Sequence, residues 1–370
     1  MATVKLLIAG GGHASLPLIK MGHKWKDKNL SITLVSAEPW LVYSGALPQY
    51  IAGFYQWQQT SVNLEKLCGR YGTGFINARV ISVNPAGKSI ELSSGEVLHY
   101  DILIINVGSR TPAISHLPNV YPVKPMSRLL SLRSKLDDGT TGRLLIAGAG
   151  AAGTEFALNL SHPIRKNRPH ITLLEQGERI LSAFPVRAAE TAERVLNDRG
   201  VKIAVNTAFD EQLAANFDAV ILATGNEPVS LTIDHPFKTG RGGRILTGKS
   251  LLIPGQDAVF AAGDTADISG MNLPPVGVHA VKQGKLLREN IAAWLDGTEL
   301  KSYKPWPLTP LIISNGPDHA ILTVGNFSLS GKSQALLKYM LDMHWMEKYT
   351  LPPSRRRSKF QLLRDARGRA

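Results

Sequence analysis

Short runs of consecutive apolar residues, each stopping at glycine or at a polar position, recur along this chain. Residues 4–9 (VKLLIA) lead into Gly10-Gly11-Gly12, and residues 31–35 end at Ser36. The same order returns at 143–147 (RLLIA), which leads into Gly148-Ala149-Gly150, and at 171–174, which end at Glu175. Each copy closes on a later run that stops at glycine, YDILIINVGS at 100–109 and FDAVILATG at 217–225. Such unbroken runs predict strands buried on both faces of a parallel sheet. Each copy therefore reads as strand, glycine turn, helix and strand. One such unit binds one dinucleotide, so two units suggest two dinucleotides and electron transfer.

The turns carry the first candidate chemistry. Glycine suits them because the turn is tight and the backbone must approach a pyrophosphate without side chains intervening. The helix that follows aims its N-terminal N–H groups at the phosphates. In the first copy the candidate residues are Gly10, Gly12, His13, Ala14 and Ser15, with Ser15 standing where a third glycine is usual. His13 reads either as helix-start packing or as a cofactor contact. Ser36, where an acid normally grips a ribose, is a weaker partner, and Glu38 is an alternative.

The second copy keeps the stricter pattern, with Gly148, Gly150, Ala152 and Gly153, then Glu155. Glu175, twenty-seven residues beyond Gly148, would accept hydrogen bonds from an adenosine ribose and repel a 2′-phosphate. NADH is thus preferred, with NADPH left open by nearby Arg179. Glu155 reads either as an acid placed by the helix dipole in a first turn or as a group near the nicotinamide.

Composition narrows the class. The chain has 370 residues, enough for two domains, and no apolar run long enough to span a bilayer. Its start shows no signal-peptide pattern, and its single cysteine, Cys68, allows no internal disulfide, CxxC pair or cysteine zinc site. A cytoplasmic protein without a metal centre is expected. The net charge is +13, and residues 301–370 hold twelve Lys or Arg against four acids. That surplus reads as a solvated tail or as a contact with an anionic surface. Aromatic residues are not interleaved with the basic tail beyond Phe360, so no nucleic-acid partner is expected. There is no HExxH, GxSxG or P-loop lysine.

A third motif, Ala262-Gly263-Asp264 after residues 258–261, completes a set with Gly108 and Gly225. Together these motifs resemble the two-dinucleotide-binding flavoprotein superfamily, with the pyridine nucleotide-disulfide oxidoreductase fold, over residues 4–300. The resemblance implies an α/β protein with two Rossmann-like, three-layer ββα domains. FAD would be held by 1–118 and 251–300, NAD(P)H by 119–250, and a small α+β region with an amphipathic helix would follow at 301–350. A basic, disordered tail is expected at 351–370. It also implies that Asp264 meets the ribityl and pyrophosphate region of FAD and that the backbone near Val80 meets the adenine.

Within the superfamily the lone cysteine excludes the disulfide reductases and the sulfide:quinone reductases. What remains is similar to type II NADH dehydrogenases and to the flavoprotein module fused to selenide, water dikinase. Tyr43-Ser44-Gly45-Ala46-Leu47-Pro48 and Val276-Gly277-Val278-His279 look like the latter. Type II enzymes carry Ala-Gln and Gln-Gln beside flavin and quinone, where this chain has Gly277-Val278 and Lys282-Gln283. Only Gln283 survives as a quinone-pocket candidate. Lys124 reads as a solvated hinge residue or as a group reaching the flavin edge. The implied activity is hydride transfer from NADH to FAD, then electron transfer to a quinone or another small-molecule acceptor. A soluble reductase of a small molecule, selenium-linked or otherwise, or of a protein, and a slow flavin redox sensor, are the alternatives, and a homodimer is allowed. In the predicted helix 333–349, Leu337, Leu341, Trp345 and Tyr349 form a stripe, with Lys338 and Asp342 off it. That helix packs on the FAD domain or lies on a membrane surface, as type II enzymes do through C-terminal elements, on the cytoplasmic face.

Overall fold

A computed structural model describes residues 3–112, 115–234, 236–274, 276–358, 361, 362 and 365. The chain forms two compact units, each assembled from three stretches: 1–41, 62–109 and 227–305 make the first, and 42–61, 110–226 and 306–370 the second. These stretches do not coincide with the segments 1–118, 119–250 and 251–300 expected from sequence. Residues 227–250 cluster with the first unit because Thr232–Ile233 pairs with Val80–Asn84 and Ile245–Thr247 with Ala266–Ile268.

The first unit contains a five-stranded parallel sheet in the order Val259–Ala261, Ile102–Ile105, Val4–Ala9, Leu30–Ser36, Gly74–Asn77. Leu6, Ile8, Ala9 and Ile102 to Ile105 are fully buried, as strands covered on both faces require. The second unit repeats the arrangement with Val120–Pro122, Ala219–Leu222, Arg143–Ala147, His170–Leu174 and Lys202–Ala204. In both units the strand preceding the glycine turn lies between its own second strand and the later run. The duplicated pattern of the sequence is therefore a duplicated topology.

The copies differ in the helix after the turn. In the second unit it runs unbroken from Ala151 to Leu160. In the first it is two short pieces, Leu16–Ile19 and Gly22–Lys26, interrupted before Gly22, a weak helix former. A long helix, Gly277–Leu295, completes the first unit.

The second unit is finished by a three-stranded antiparallel sheet, Leu311–Ser314, Ala320–Val324 and Phe327–Gly331, and by the helix Lys332–Thr350. That helix is not the amphipathic element expected. Its buried residues include Lys338, Asp342 and Glu347, whereas Leu341, in the expected apolar stripe, is exposed. It clusters with the unit that carries the second glycine turn, and it packs against Tyr43, Ala46 and Tyr55, which lie within the expected segment 1–118. The described part of the expected tail is also engaged. Arg357 pairs with Glu347 and Asp365, both at 2.6 Å, and Leu362 is buried. Lys359 and Phe360 lie outside the described residues.

Candidate functional site

In the first unit the glycine turn has no space for side chains. Gly10 adopts φ +104°, and a Cβ there would stand 2.2 Å from the Asn106 carbonyl oxygen. Ser15 replaces the third glycine by using its hydroxyl. Its Oγ donates to the Gly10 carbonyl at 2.7 Å and accepts from Asn106 Nδ2 at 2.8 Å. Asn106, buried at the end of Ile102–Ile105, thus clamps the turn from the neighbouring strand. Ser36 lies beside Gly11, but its hydroxyl donates to the Glu38 carbonyl at 2.8 Å. His13 is half-buried, Ala14 is buried, and Val80 packs in one apolar cluster with Leu7, Ala9 and Val35.

The third motif converges on the same turn. Gly108 N–H donates to Thr265 Oγ1 at 2.8 Å, and Ser109 Oγ donates to Asp264 Oδ2 at 2.7 Å. Gly263 N–H donates to Gln283 Oε1 at 2.6 Å, which ties the motif to the helix Gly277–Leu295. A cavity opens here, lined by Arg244, Gly263, Asp264, Asp267, His279 and Gln283 among others. Asp267 is held by Arg241 at 2.7 Å, and that pair, with backbone hydrogen bonding, keeps its carboxyl below the usual range against the cost of burial. A turn stripped of side chains fits the diphosphate of a dinucleotide, and the cavity, about 30 Å³, is a small polar recess at the third motif.

In the second unit Gly153 shows why the third position is glycine. A Cβ there would lie 1.8 Å from the Gly148 carbonyl oxygen, inside any contact distance. Gly150 and Gly225 face open space, Ala152 is exposed, and Gly148 and Gly225 take φ of +94° and +97°. Glu175 is held at the turn: its two carboxylate oxygens accept from Ala149 N–H and Gly177 N–H, both at 2.9 Å. Arg179 donates to the carbonyls of Leu181, Ser182 and Phe184 at 2.7–3.1 Å, so its guanidinium is spent on the following loop. Thr224 Oγ1, next to Gly225, is buried without a protein partner. An orphaned hydroxyl beside this turn fits a second nucleotide. Lys124 is half-buried, and its N–H donates to Thr111 Oγ1.

Glu155 does not join that site. The helix begins at Ala151, so Glu155 lies past its first turn, and Oε1 accepts from Ser314 N–H at 2.8 Å and Ser314 Oγ at 2.5 Å. Neither reading from sequence anticipated this. It faces a buried charged cluster in which Lys338 Nζ lies 2.8 Å from Asp342 Oδ2, with Tyr43 and Tyr55 hydroxyls donating to Asp342 at 3.1 and 3.3 Å. Burial works against the Lys338 ammonium, but attraction to Asp342 and Glu155 prevails and raises its pKa. Burial raises the Glu155 carboxyl, opposed by Lys338 and Ser314.

A raised folded pKa means that the native state binds the extra proton, so this residue's contribution to stability falls as pH rises above the ordinary value of 4.5 toward the folded value. Glu155→Gln keeps an acceptor for Ser314 and removes the titration. Its melting temperature, relative to wild type, should therefore rise progressively from pH 4.5 toward neutrality. A pH-independent difference would contradict this.

Asn106 and Thr224 carry no role in the sequence reading, and Lys338 and Asp342 enter it only as polar positions off the apolar stripe. A signal existed for Asn106, a polar residue directly ending the apolar run ILII.

Two glycine turns, each on the central strand of a parallel sheet, define a protein that binds two dinucleotides. The sequence profile of the pyridine nucleotide-disulphide oxidoreductases matches residues 4–284, and the chain belongs to that family. It is thereby an FAD-dependent oxidoreductase of pyridine nucleotides. It is 23% identical to a type II NADH:quinone oxidoreductase of Staphylococcus aureus over 91% of this chain and 94% of that one. Among solved structures it resembles NDH2 of Plasmodium falciparum in complex with NADH (TM-score 0.80, 14% identity, covering 99% and 98% of the two chains). It also resembles the sulfide:quinone oxidoreductase of Aquifex aeolicus (TM-score 0.77, 17% identity, covering 95% and 93%).

Proposed function

We propose that the protein oxidises NADH, held by the second unit, through FAD, held by the first, and delivers the electrons to a quinone. The observation that carries the donor assignment is the Glu175 carboxylate fixed at the second turn, with Arg179 committed elsewhere. A 2′-phosphate would meet a carboxylate there and find the nearby arginine occupied, which favours NADH over NADPH. Glu175→Ala is expected to raise the NADH KM about tenfold, and to narrow the gap between NADH and NADPH. Equal use of the two nucleotides by the wild-type protein would contradict the assignment.

FAD, when bound, supplies the hydride acceptance and electron release that side chains lack. In this reading Gly10, Gly12 and Ser15 shape its diphosphate seat, Asp264 binds its ribityl region, and Gln283 positions Gly263 from the helix. The residues Gly148, Gly150 and Gly153 seat NADH. No thiol takes part. Cys68 is the single cysteine of the chain and is buried, and burial pushes its thiol up to about 12, which disfavours a thiolate nucleophile.

Quinone is supported by the type II relatives, which the chain matches over almost all of its length. Gly277-Val278, in place of Ala-Gln, favours a second reading in which another small molecule or a protein accepts the electrons. No helix among the described residues is long and apolar enough to cross a membrane. The test is steady-state NADH oxidation with menadione or a ubiquinone analogue, alongside the absorption spectrum of the purified protein. Yellow protein with rapid quinone-dependent turnover is expected. Turnover with other acceptors alone would support the second reading, and colourless protein after incubation with FAD would end both.

A further inference from the structure

His279 sits in the first turn of the helix Gly277–Leu295, one turn before Gln283, and both line the cavity beside Asp264. The helix is fixed against the first glycine turn, for a Cβ at Gly284 would stand 2.5 Å from the Ala14 carbonyl oxygen. His279 therefore cannot drift relative to the fingerprint. Its Nδ1 lies 2.9 Å from the Tyr303 hydroxyl, and the two residues are 6% and 3% exposed. Tyr303 is itself anchored, its N–H donating to the Lys249 carbonyl at 2.7 Å.

The direction of this hydrogen bond follows from counting acceptors. Burial pushes the Tyr303 phenol up to about 12, so it keeps its proton near neutral pH. Among the described residues, His279 Nδ1 is the one acceptor that proton has. Reversing the bond would leave a buried phenol proton unpaired, at about 1–3 kcal/mol. Burial, then the charge of Lys282, lowers the imidazole pKa and keeps the ring neutral. The tyrosine thus donates to Nδ1, and the imidazole proton resides on Nε2. That nitrogen has no hydrogen-bond partner among the described residues, and the ring that bears it lines the cavity.

We propose that His279, its tautomer set by Tyr303, is an FAD-binding residue whose Nε2–H donates to an acceptor atom of the dinucleotide. The assignment rests on the reading of this cavity as part of the FAD site. It gives the chain a neutral donor on the same helical face as Gln283, in the segment where Gly277-Val278 departs from the type II pattern.

The test begins with wild-type protein as purified, whose flavin content and FAD dissociation constant are measured by ultrafiltration and fluorescence. Wild type without flavin would end the FAD reading itself, a failure distinct from the outcomes for the variants. His279→Ala is expected to weaken FAD binding about tenfold, and His279→Asn, which retains an N–H donor, to recover part of the loss. Tyr303→Phe leaves the ring in place but frees its tautomer. It is expected to weaken binding about threefold and to move the imidazole ¹⁵N resonances away from the Nε2–H pattern. Wild-type affinity in His279→Ala would overturn the proposal. Should that variant not fold, wild-type FAD affinity and an unchanged ¹⁵N pattern in Tyr303→Phe would do the same.

Discussion

Lys338→Met is expected to destabilise the second unit by about 3–5 kcal/mol, read as a lowered denaturant midpoint for its unfolding. The side chains of Lys338 and Asp342 are 6% and 4% exposed, so removal of the ammonium strands carboxyl groups out of reach of water. Asp342 keeps the Tyr43 and Tyr55 hydroxyls, but hydroxyls offset only part of a buried charge. The raised Glu155 carboxyl lies in the same cluster and would also lose its opposing cation. The contrasting variant is Lys338→Met with Asp342→Leu, in which no member of the pair is left alone. It should recover most of the loss, because a buried ion pair and an apolar pair of similar volume are nearly equivalent in energy. The two tyrosine hydroxyls, deprived of Asp342, should keep recovery incomplete. A single variant as stable as wild type would show that the cluster is hydrated rather than buried.

Gly153→Ala should reduce NADH affinity about a hundredfold while flavin content stays at the wild-type level. The added methyl would sit 1.8 Å from a backbone oxygen, so no rotamer relieves the overlap and the helix Ala151–Leu160 must shift away from its strand. That shift carries Gly150 and the N–H groups after it away from where a pyrophosphate would rest. Under the proposed assignment of FAD to the Gly10 turn, FAD retention is the internal control, since that turn belongs to the other unit. Titration of nicotinamide fluorescence measures the first quantity and flavin absorbance the second. Unaltered NADH affinity would remove the second turn from nucleotide binding.

The duplicated strands were legible because they obey local rules. Continuous apolar runs and glycines at close backbone approaches are written in consecutive residues, and the two sheets repeat one order as the two motifs did. The C-terminal helix was not legible for the opposite reason. Lys338 and Asp342, four apart and oppositely charged, have the spacing of a solvated pair, and nothing nearby in sequence reveals that Tyr43 and Tyr55 cover them. Glu155 misled in the same way, since its partner Ser314 lies 159 residues further on. Asn106 and Ser15 lie between these cases: each breaks a local pattern visibly, while the bond between them needs the folded sheet.

The stretch 306–370 completes a unit whose earliest residues are 42–61, with Tyr43 bonding Asp342 across 299 positions. A ribosome must therefore release the chain beyond Asp342 before that body can close. Until then Val42, Leu47 and Ile51 can pack on the core around Phe156, but the face of this segment that carries Tyr43 and Tyr55 stays uncovered. Nascent chains arrested before residue 306 should be cleaved at Tyr43 and Tyr55 more readily than the finished molecule, in which the last helix covers both.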